Sequence, residues 1–232
     1  MLPLKKGPKP EILKQMETSW TAEFLAALKA GETPSHAMRH RYRHPTIKSA
    51  LRSETSDKCA YCESKIVHLY PGDIEHIAPV SKFPEKYCEW KNLTYACAQC
   101  NRRKLDYWSD TEPLLNPYVE DPAEHLIFCG GFVIQRPGSN KGLLTHEKLE
   151  LSRMALVERR QEKLRALATL LDRWALLPNG NLRDVVWLQI ERETSPSTEY
   201  SATMQAHLAQ CVRASSGALP IGTETDNPPP TP

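Results

Sequence analysis

Four cysteines stand in two pairs of CxxC spacing, Cys59 with Cys62 and Cys97 with Cys100. A CxxC turn places two thiolates on one side of a tight knuckle, and two knuckles complete a tetrahedral zinc site. Four sulfur ligands leave no open position, so we predict a structural zinc that helps to fold this region. The alternatives are four unrelated buried cysteines or a redox CxxC pair, and neither pair lies in the βαβ pattern that a redox motif favours.

A second group of polar residues lies between the two cysteine pairs and just after them. It consists of Asp73, Glu75, His76, Asn92, Asn101 and Lys104. The stretch GDIEHIAP puts acid and imidazole side by side in a strand-like segment, and CAQCNRRK puts an amide and cations at a helix start. The last zinc ligand, Cys100, stands one residue before that amide. A zinc bound there would tie the helix to the strands and hold a catalytic centre in fixed geometry.

These residue types are suited to phosphodiester hydrolysis. A hard cation such as Mg²⁺ or Mn²⁺ takes oxygen ligands and keeps several waters, so one carboxylate and one amide oxygen can suffice. A neutral histidine, here His76, can take a proton from the attacking water. In this hypothesis Asn92 orients the imidazole, and Lys104 neutralises charge that develops on phosphate oxygens.

Each of these residues also has a structural interpretation. A histidine beside an acid is commonly a surface pair, and Asn92 could be a turn residue. Asn101 could cap a helix, which asparagine favours. Arg102, Arg103 and Lys104 could form a solvated face. The spacing of these residues between and just after the two CxxC pairs favours the catalytic interpretation over these structural interpretations.

Cations are concentrated before and after the cysteine region. Residues 38–52 contain five basic residues and no acid: Arg39, Arg41, Arg43, Lys48 and Arg52. Lysine and arginine contacts to phosphates release counterions, so we predict a nucleic-acid-binding segment here, extended by Arg102 and Arg103. A solvated or protein-docking face is the alternative for residues 38–52.

Apolar periodicity predicts an α+β chain. Helices are expected at residues 11–30, after Pro45, and at 147–177, 181–193 and 198–213. A hairpin is expected in LIFCGGFVIQ around Gly130 and Gly131. We predict four segments: an arm with helices and basic residues (1–56), a motif-bearing core (57–110), a hairpin and helical region that could dock a partner (111–213), and a disordered tail (214–232).

The bulk composition is that of a globular protein outside membranes. The chain has 232 residues, 40% hydrophobic residues and a formal net charge of +2. No apolar run approaches the ~20 residues that span a bilayer, and the first residues lack the apolar stretch of a signal peptide. We therefore expect a cytoplasmic protein without a disulfide framework. Cys88, Cys129 and Cys211 are expected to be small buried hydrophobic residues.

The segments CAYCE, GDIEHIAP, KNLTYAC and CAQCNRRKLD resemble the HNH endonuclease family in its zinc-knuckle form. The resemblance implies a ββα-metal core with a four-cysteine zinc site, flanked by amino- and carboxyl-terminal helices. It also implies His76 as general base, Asn92 as the middle asparagine, and Glu75 and Asn101 as metal ligands. The family usually has histidine at the third motif position and aspartate directly before the first histidine. Asp73, two residues earlier than Glu75, is therefore a second candidate ligand.

The likeness extends beyond the motif, through GPKP and IL near the start and PLLNPYVEDPAEHLIF after the core. These segments resemble the small HNH nucleases that accompany ATPases in Septu-type and retron-associated anti-phage systems. The resemblance implies a DNA-directed effector of phage defence with an SMC/ABC-like ATPase partner. Two alternatives remain open: a zinc-knuckle nucleic-acid-binding module without catalysis, and an ATPase-docking subunit whose nuclease site has decayed.

Overall fold

The computed structural model describes residues 1–67 and 70–215. The predicted disorder of the tail falls almost entirely on residues outside this part of the chain. The helices of four residues or more are α1 (Glu11–Lys29), α2 (His36–His40), α3 (Pro45–Thr55), α4 (Ala98–Lys104), α5 (Asn140–Leu149), α6 (Met154–Leu176), α7 (Asn181–Glu193) and α8 (Ser201–Ser215). The strands are β1 (Asp73–His76), β2 (Leu93–Ala96), β3 (Leu126–Cys129) and β4 (Phe132–Gln135).

Strands β1 and β2 pair antiparallel, and α4 follows β2 directly, which gives the predicted ββα unit. The register places Asp73 opposite Ala96 and His76 opposite Leu93. Gly72 precedes β1 with φ of 67°, and a Cβ there would lie 2.3 Å from the hydroxyl oxygen of Tyr95. Only glycine permits both this conformation and this close approach, so it fixes how the chain enters β1.

The predicted helices at 11–30, after Pro45 and at 181–193 are confirmed as α1, α3 and α7. The hairpin around Gly130 and Gly131 is confirmed as β3 and β4. The predicted helix at 147–177 is wrong at its start, because α5 ends at Leu149 and α6 begins only at Met154. Glu150 adopts the left-handed conformation with φ of 44°, which breaks the helix at a residue that carries no sequence signal for it.

Most buried side chains form one core that contains the ββα unit and the helices around it. Leu13 of α1, Leu51 of α3, Tyr95 of β2 and Leu149 of α5 all belong to it. A second, smaller core lies between α6, α7 and α8, with Leu167 and Ile190 at its centre. Within residues 1–67 and 70–215, no helix is long and apolar enough to cross a membrane.

The three cysteines outside the two CxxC pairs do not share one environment. Cys88 is buried, as expected, but Cys211 is half-buried and Cys129 is exposed. Cys129 ends β3 next to the Gly130 turn, where alternate side chains point to solvent. The expectation of burial was therefore wrong for Cys129 and Cys211.

Candidate active site

The four paired cysteines converge. The sulfur atoms of Cys59, Cys62, Cys97 and Cys100 all lie within 4.8 Å of one another, and all four residues are buried. A tetrahedral zinc with Zn–S bonds of ~2.3 Å requires sulfur atoms about 3.8 Å apart. The sulfur atoms of Cys62 and Cys97 are 3.8 Å apart. The donor set and its spacing therefore fit a zinc ion.

Backbone hydrogen bonds attach each knuckle to the ββα unit. In the first knuckle, the amide of Ala60 donates to the carbonyl of Tyr95 in β2 at 2.9 Å. In the second, the sulfur of Cys97 caps α4 by accepting from the amide of Cys100 at 3.3 Å. The amide of Asn101 donates to the Cys97 carbonyl at 2.9 Å. The cysteine cluster thus fixes the start of the helix that carries Asn101 and Lys104.

Arg153 is a contributor to the cysteine cluster that sequence patterns did not single out. Its guanidinium nitrogens lie 3.9 Å from the sulfur atoms of Cys97 and Cys100. Another nitrogen donates to the side-chain oxygen of Gln99 at 2.8 Å. This cation favours the thiolate form that binds metal. Since Arg153 lies in the break between α5 and α6, no spacing rule could connect it to the knuckles.

A buried carboxylate fastens the first knuckle to α8. Glu63 accepts from the hydroxyl of Ser201 at 2.8 Å, and its second oxygen accepts from the amino group of Met1 at 2.8 Å. Lys58 lies 3.5 Å from the same carboxylate and donates to Ser201 at 2.7 Å. The two cations offset the cost of burying Glu63. The first knuckle is thereby bonded to β2 through Ala60 and to α8 through Glu63.

The His76 imidazole is held in one tautomer. Its Nε2 lies 2.8 Å from the backbone carbonyl oxygen of Tyr87, and a carbonyl only accepts, so Nε2 carries the proton. Nδ1 is then left with a free lone pair. Burial lowers the pKa of His76 to about 4, helped by the nearby cations of Lys104 and Arg43. The ring also packs against Tyr42 in a T-shaped arrangement, with centroids 4.5 Å apart.

Asn92 acts on the loop after β1, and its described hydrogen bonds do not reach the imidazole. Its side-chain oxygen accepts from the amide of Ala78 at 2.7 Å, and its amide donates to the carbonyls of Ala78 and Lys86 at 3.0 and 3.3 Å. These bonds fix the loop whose Tyr87 carbonyl holds His76. The expected role of orienting the imidazole is therefore indirect.

Two side-chain pairs join β1 to α4, because residues two apart on a strand and three apart on a helix share a face. The Asn101 amide donates to a carboxylate oxygen of Asp73 at 3.0 Å. The Lys104 ammonium lies 2.8 Å from a carboxylate oxygen of Glu75 and donates to the His76 carbonyl at 2.9 Å. The first pair is half-buried, whereas both partners of the second pair are buried.

The burial of Lys104 corrects its expected role. At 3% exposed it cannot reach a phosphate in solvent, and it acts by holding Glu75 and the end of β1. Burial raises the pKa of Glu75 above its ordinary value, although the ammonium opposes this. Apart from this ion pair, the nearer Glu75 oxygen accepts no hydrogen bond from the described residues. Lys104 therefore engages Glu75, whereas the half-buried Asp73 carboxylate and the Asn101 amide oxygen offer donors that fit a hard divalent cation.

The basic residues around the site divide into two groups. Arg41 pairs with Glu23 of α1 at 2.6 Å, and Arg52 pairs with Asp57 at 2.7 Å. Residues 38–52 therefore do not lack compensating acids once the chain is folded. Arg43 is exposed and acts electrostatically on His76, and Lys48 is half-buried and acts on Asp73.

The other predicted nucleic-acid contacts are either exposed or paired with an acid. Arg39 and Arg102 are exposed. Arg103 forms an ion pair with Glu150. Of the seven predicted cations, Arg43 and Lys48 are the two with a described electrostatic effect on His76 or Asp73.

Residues 59–106 match the model of the HNH endonuclease family. The chain contains an HNH endonuclease domain. This domain includes both cysteine pairs, the β1–β2 pair and α4, together with His76, Asn92 and Asn101. The helices and the β3–β4 hairpin outside residues 59–106 flank it.

Two curated relatives extend the similarity beyond the HNH domain. Septu protein PtuB of Bacillus thuringiensis is 28% identical over 223 residues, which cover 90% of this chain and 82% of that protein. Septu protein PtuB of Bacillus mycoides (strain KBAB4) is 30% identical over 150 residues, which cover 51% of each chain. The similarity therefore includes the flanking elements, as the resemblance outside the motif predicted.

Proposed function

We propose that this chain is a metal-dependent endonuclease that hydrolyses phosphodiester bonds in DNA. The observation that carries the proposal is the His76 imidazole at the end of β1. The Tyr87 carbonyl accepts a hydrogen bond from Nε2–H, which leaves Nδ1 as the proton acceptor. A fixed, neutral imidazole in an HNH domain is what a general base for water activation requires.

In this proposal His76 takes a proton at Nδ1 from the attacking water. Tyr42 and the loop fixed by Asn92 prevent the ring from turning. Arg43 is exposed beside the ring and can bind a phosphate of the substrate strand. Asn92 and Lys104 are positioning residues, since they act through the Tyr87 loop and the end of β1.

Asp73 and Asn101 would hold a Mg²⁺ or Mn²⁺ ion, and their half-buried position leaves room for water and a phosphate oxygen. When bound, such an ion stabilises negative charge on the phosphate and the leaving oxygen. Glu75 lies on the same face of β1 and is the alternative carboxylate. Geometry favours Asp73, because Lys104 already neutralises Glu75.

The four-cysteine cluster would hold a zinc ion with a structural role. All four sulfur donors come from the protein, so the ion would have no position for water or substrate. Its function is to hold α4, and with it Asn101, against β1. We expect about one zinc per chain, measurable by elemental analysis of the folded protein, and its absence from folded protein would contradict this role.

The direct test of the nuclease proposal is His76→Ala. Removing a general base costs ~10²–10⁴-fold in rate, so cleavage of DNA in Mg²⁺ should fall by that factor. Zinc content should stay unchanged, because the ring lies outside the cysteine cluster, and the thermal midpoint shows that the variant is folded. His36→Ala, which changes an exposed histidine outside the HNH domain, should cleave at the wild-type rate. Wild-type cleavage by the His76→Ala protein would show that another residue is the base.

We further propose that the chain is an anti-phage effector that acts in the bacterial cytoplasm with an SMC/ABC-like ATPase subunit. The similarity to two Septu proteins supports this role. Helix α7 offers a docking face, where Leu182, Val185 and Leu188 are 64%, 60% and 51% exposed on one side. Three exposed large apolar residues on one helix are typical of a protein–protein contact.

The partner proposal is tested by co-expression with the SMC/ABC-like ATPase subunit that it names. The two proteins should elute as one complex at micromolar concentration, and Val185→Asp with Leu188→Asp should separate them. Leu143→Asp on α5, where the side chain is 43% exposed, is the matched control and should leave the complex intact. Independent elution of the wild-type proteins, with and without ATP, would reject the partner.

A further inference from the structure

A cleft of about 200 Å³ opens at the residue after β1 and at the end of α4, the two elements that carry His76 and Asn101. Ile77, which follows His76, lines it, and so does Lys104, which binds the carbonyl of His76. The other walls come mainly from the segment after α4, including Leu114 and Val119. A water needs only about 10–15 Å³ of such space, so the cleft admits a much larger group.

One wall of this cleft is aromatic and fixed in orientation. Tyr107 and Trp108 both line it. The Trp108 indole N–H donates to Asp110 at 3.0 Å, and the Tyr107 hydroxyl donates to the Glu112 carbonyl at 2.8 Å. Both rings are only half-buried. Two oriented and accessible aromatic rings beside an apolar cleft form a surface on which a flat ring can stack.

A positive charge lies close to Trp108 of this wall. Phe83 packs edge-on against Trp108, with centroids 4.9 Å apart, and the Lys86 ammonium lies 4.9 Å and 5.8 Å from these two ring centroids. The acids nearby are engaged: Asp110 accepts from Trp108, and Glu120 pairs with Lys141 at 2.7 Å. The rim can therefore attract a phosphate while the cleft remains apolar.

We propose that this cleft takes one unpaired nucleobase of the substrate strand, stacked against Trp108. Every nucleobase has an aromatic face, and aromatic side chains combined with cations are how proteins hold single strands. The inference rests on the proposed nuclease function and specifies its substrate. The preferred substrate is single-stranded or locally opened DNA, because a base inside an intact duplex cannot leave its stack without an unstacking cost.

The test measures binding without cleavage, in the His76→Ala protein. Three fluorescent DNA oligonucleotides of one length serve as probes: a single strand, an abasic strand and a duplex. Base–aromatic stacking contributes ~1–3 kcal/mol, so Trp108→Ala should weaken single-strand binding about 5- to 150-fold. It should leave binding to the abasic strand unchanged. Trp108→Phe, which keeps a stacking face, should recover most of the affinity.

The matched control is Trp187→Ala, since Trp187 is a half-buried tryptophan on α7 with an aromatic partner, Trp174. It should bind all three probes like the parent protein. Equal zinc content and thermal midpoint would establish that the Trp108→Ala protein is folded. The base-binding inference is overturned if Trp108→Ala weakens abasic and intact strands equally, or weakens neither, or if the parent protein prefers the duplex.

The binding test of the base site and the cleavage test of the nuclease proposal can fail independently. If the protein with His76 intact cleaves no DNA while Trp108-dependent binding to single strands is present, the nuclease proposal fails and the base site stands. If cleavage depends on His76 but binding is independent of Trp108, the nuclease proposal stands and the base site fails.

Discussion

The four-cysteine cluster and the candidate active site both adjoin α4, but they differ in how accessible their donor atoms are. The sulfur centre has four buried donors that converge from two knuckles. The oxygen and nitrogen centre, formed by Asp73, His76 and Asn101, is half-buried, and its pairs leave donor atoms free. A closed donor set can contribute binding energy only to folding, whereas an open one can exchange ligands with substrate and water. In the proposed function, stability and chemistry therefore depend on neighbouring but different side chains.

The dependence between the two centres should run in one direction. Cys97 and Cys100 place α4, and α4 carries Asn101 and Lys104 to β1. Loss of the sulfur centre should remove the open centre as well. Changes to the open centre should leave the sulfur centre in place. The following experiments test this asymmetry, beginning with the largest expected effect.

The largest effect is expected for Cys97→Ser. Zinc binding at such sites contributes ~10–16 kcal/mol, which is comparable to the whole ~5–15 kcal/mol stability of a domain. We expect loss of zinc, loss of the folded circular-dichroism spectrum and loss of soluble protein. Cys129→Ser is the control, because Cys129 is exposed and outside the cluster, and it should keep all three. A folded, zinc-free Cys97→Ser protein would contradict the claim that the rest of the domain depends on the sulfur centre.

A smaller loss of stability is expected for Lys104→Met. The change leaves the buried Glu75 carboxylate without its partner, and breaking a buried ion pair costs ~3–5 kcal/mol. Urea unfolding should show this decrease while zinc content stays near one per chain. Arg102→Met, at an exposed position on the same helix, should change the free energy of unfolding by under ~0.5 kcal/mol. Zinc loss in the folded Lys104→Met protein would show that the two centres depend on each other.

The two carboxylates of β1 can be separated by their metal requirement. If Asp73 is the ligand, Asp73→Asn should raise the Mg²⁺ concentration for half-maximal cleavage by roughly 10-fold or more. Glu75→Gln should change that concentration less, because Glu75 is engaged by Lys104. The measurement is a Mg²⁺ titration of the cleavage rate for both variants. The opposite ranking would assign the ion to Glu75.

The smallest effect concerns the salt dependence of DNA binding. Arg43 and Lys48 lie near the open centre, whereas Arg41 and Arg52 are paired with acids. Replacing Arg43 and Lys48 by alanine should reduce the slope of log affinity against log salt by ~1.8 on duplex DNA, or ~1.4 on a single strand. The Arg41→Ala, Arg52→Ala protein is the matched control, and its slope should stay close to the wild-type value. Equal slopes for both double variants would exclude a distinct phosphate-binding role for Arg43 and Lys48.

The amino-acid sequence by itself determined the local parts of this protein. The CxxC spacings predicted a sulfur cluster, and the polar residues next to Cys100 predicted a helix start at the candidate site. Apolar periodicity predicted α1, α3 and α7, and the Gly130–Gly131 turn predicted the second hairpin. These features depend on neighbours a few residues apart, where the periods of helix and strand make spacing informative.

Only the tertiary structure decided which of the candidate side chains are free to act. It buried Lys104 against Glu75, turned Asn92 toward the loop after β1, and paired Arg41 with Glu23 of α1. It also brought Arg153 to the cysteine cluster and the Tyr87 carbonyl to His76. These partners come from distant segments or from the backbone itself. Charge and residue type are properties of single positions, but exposure and pairing depend on where the rest of the chain packs.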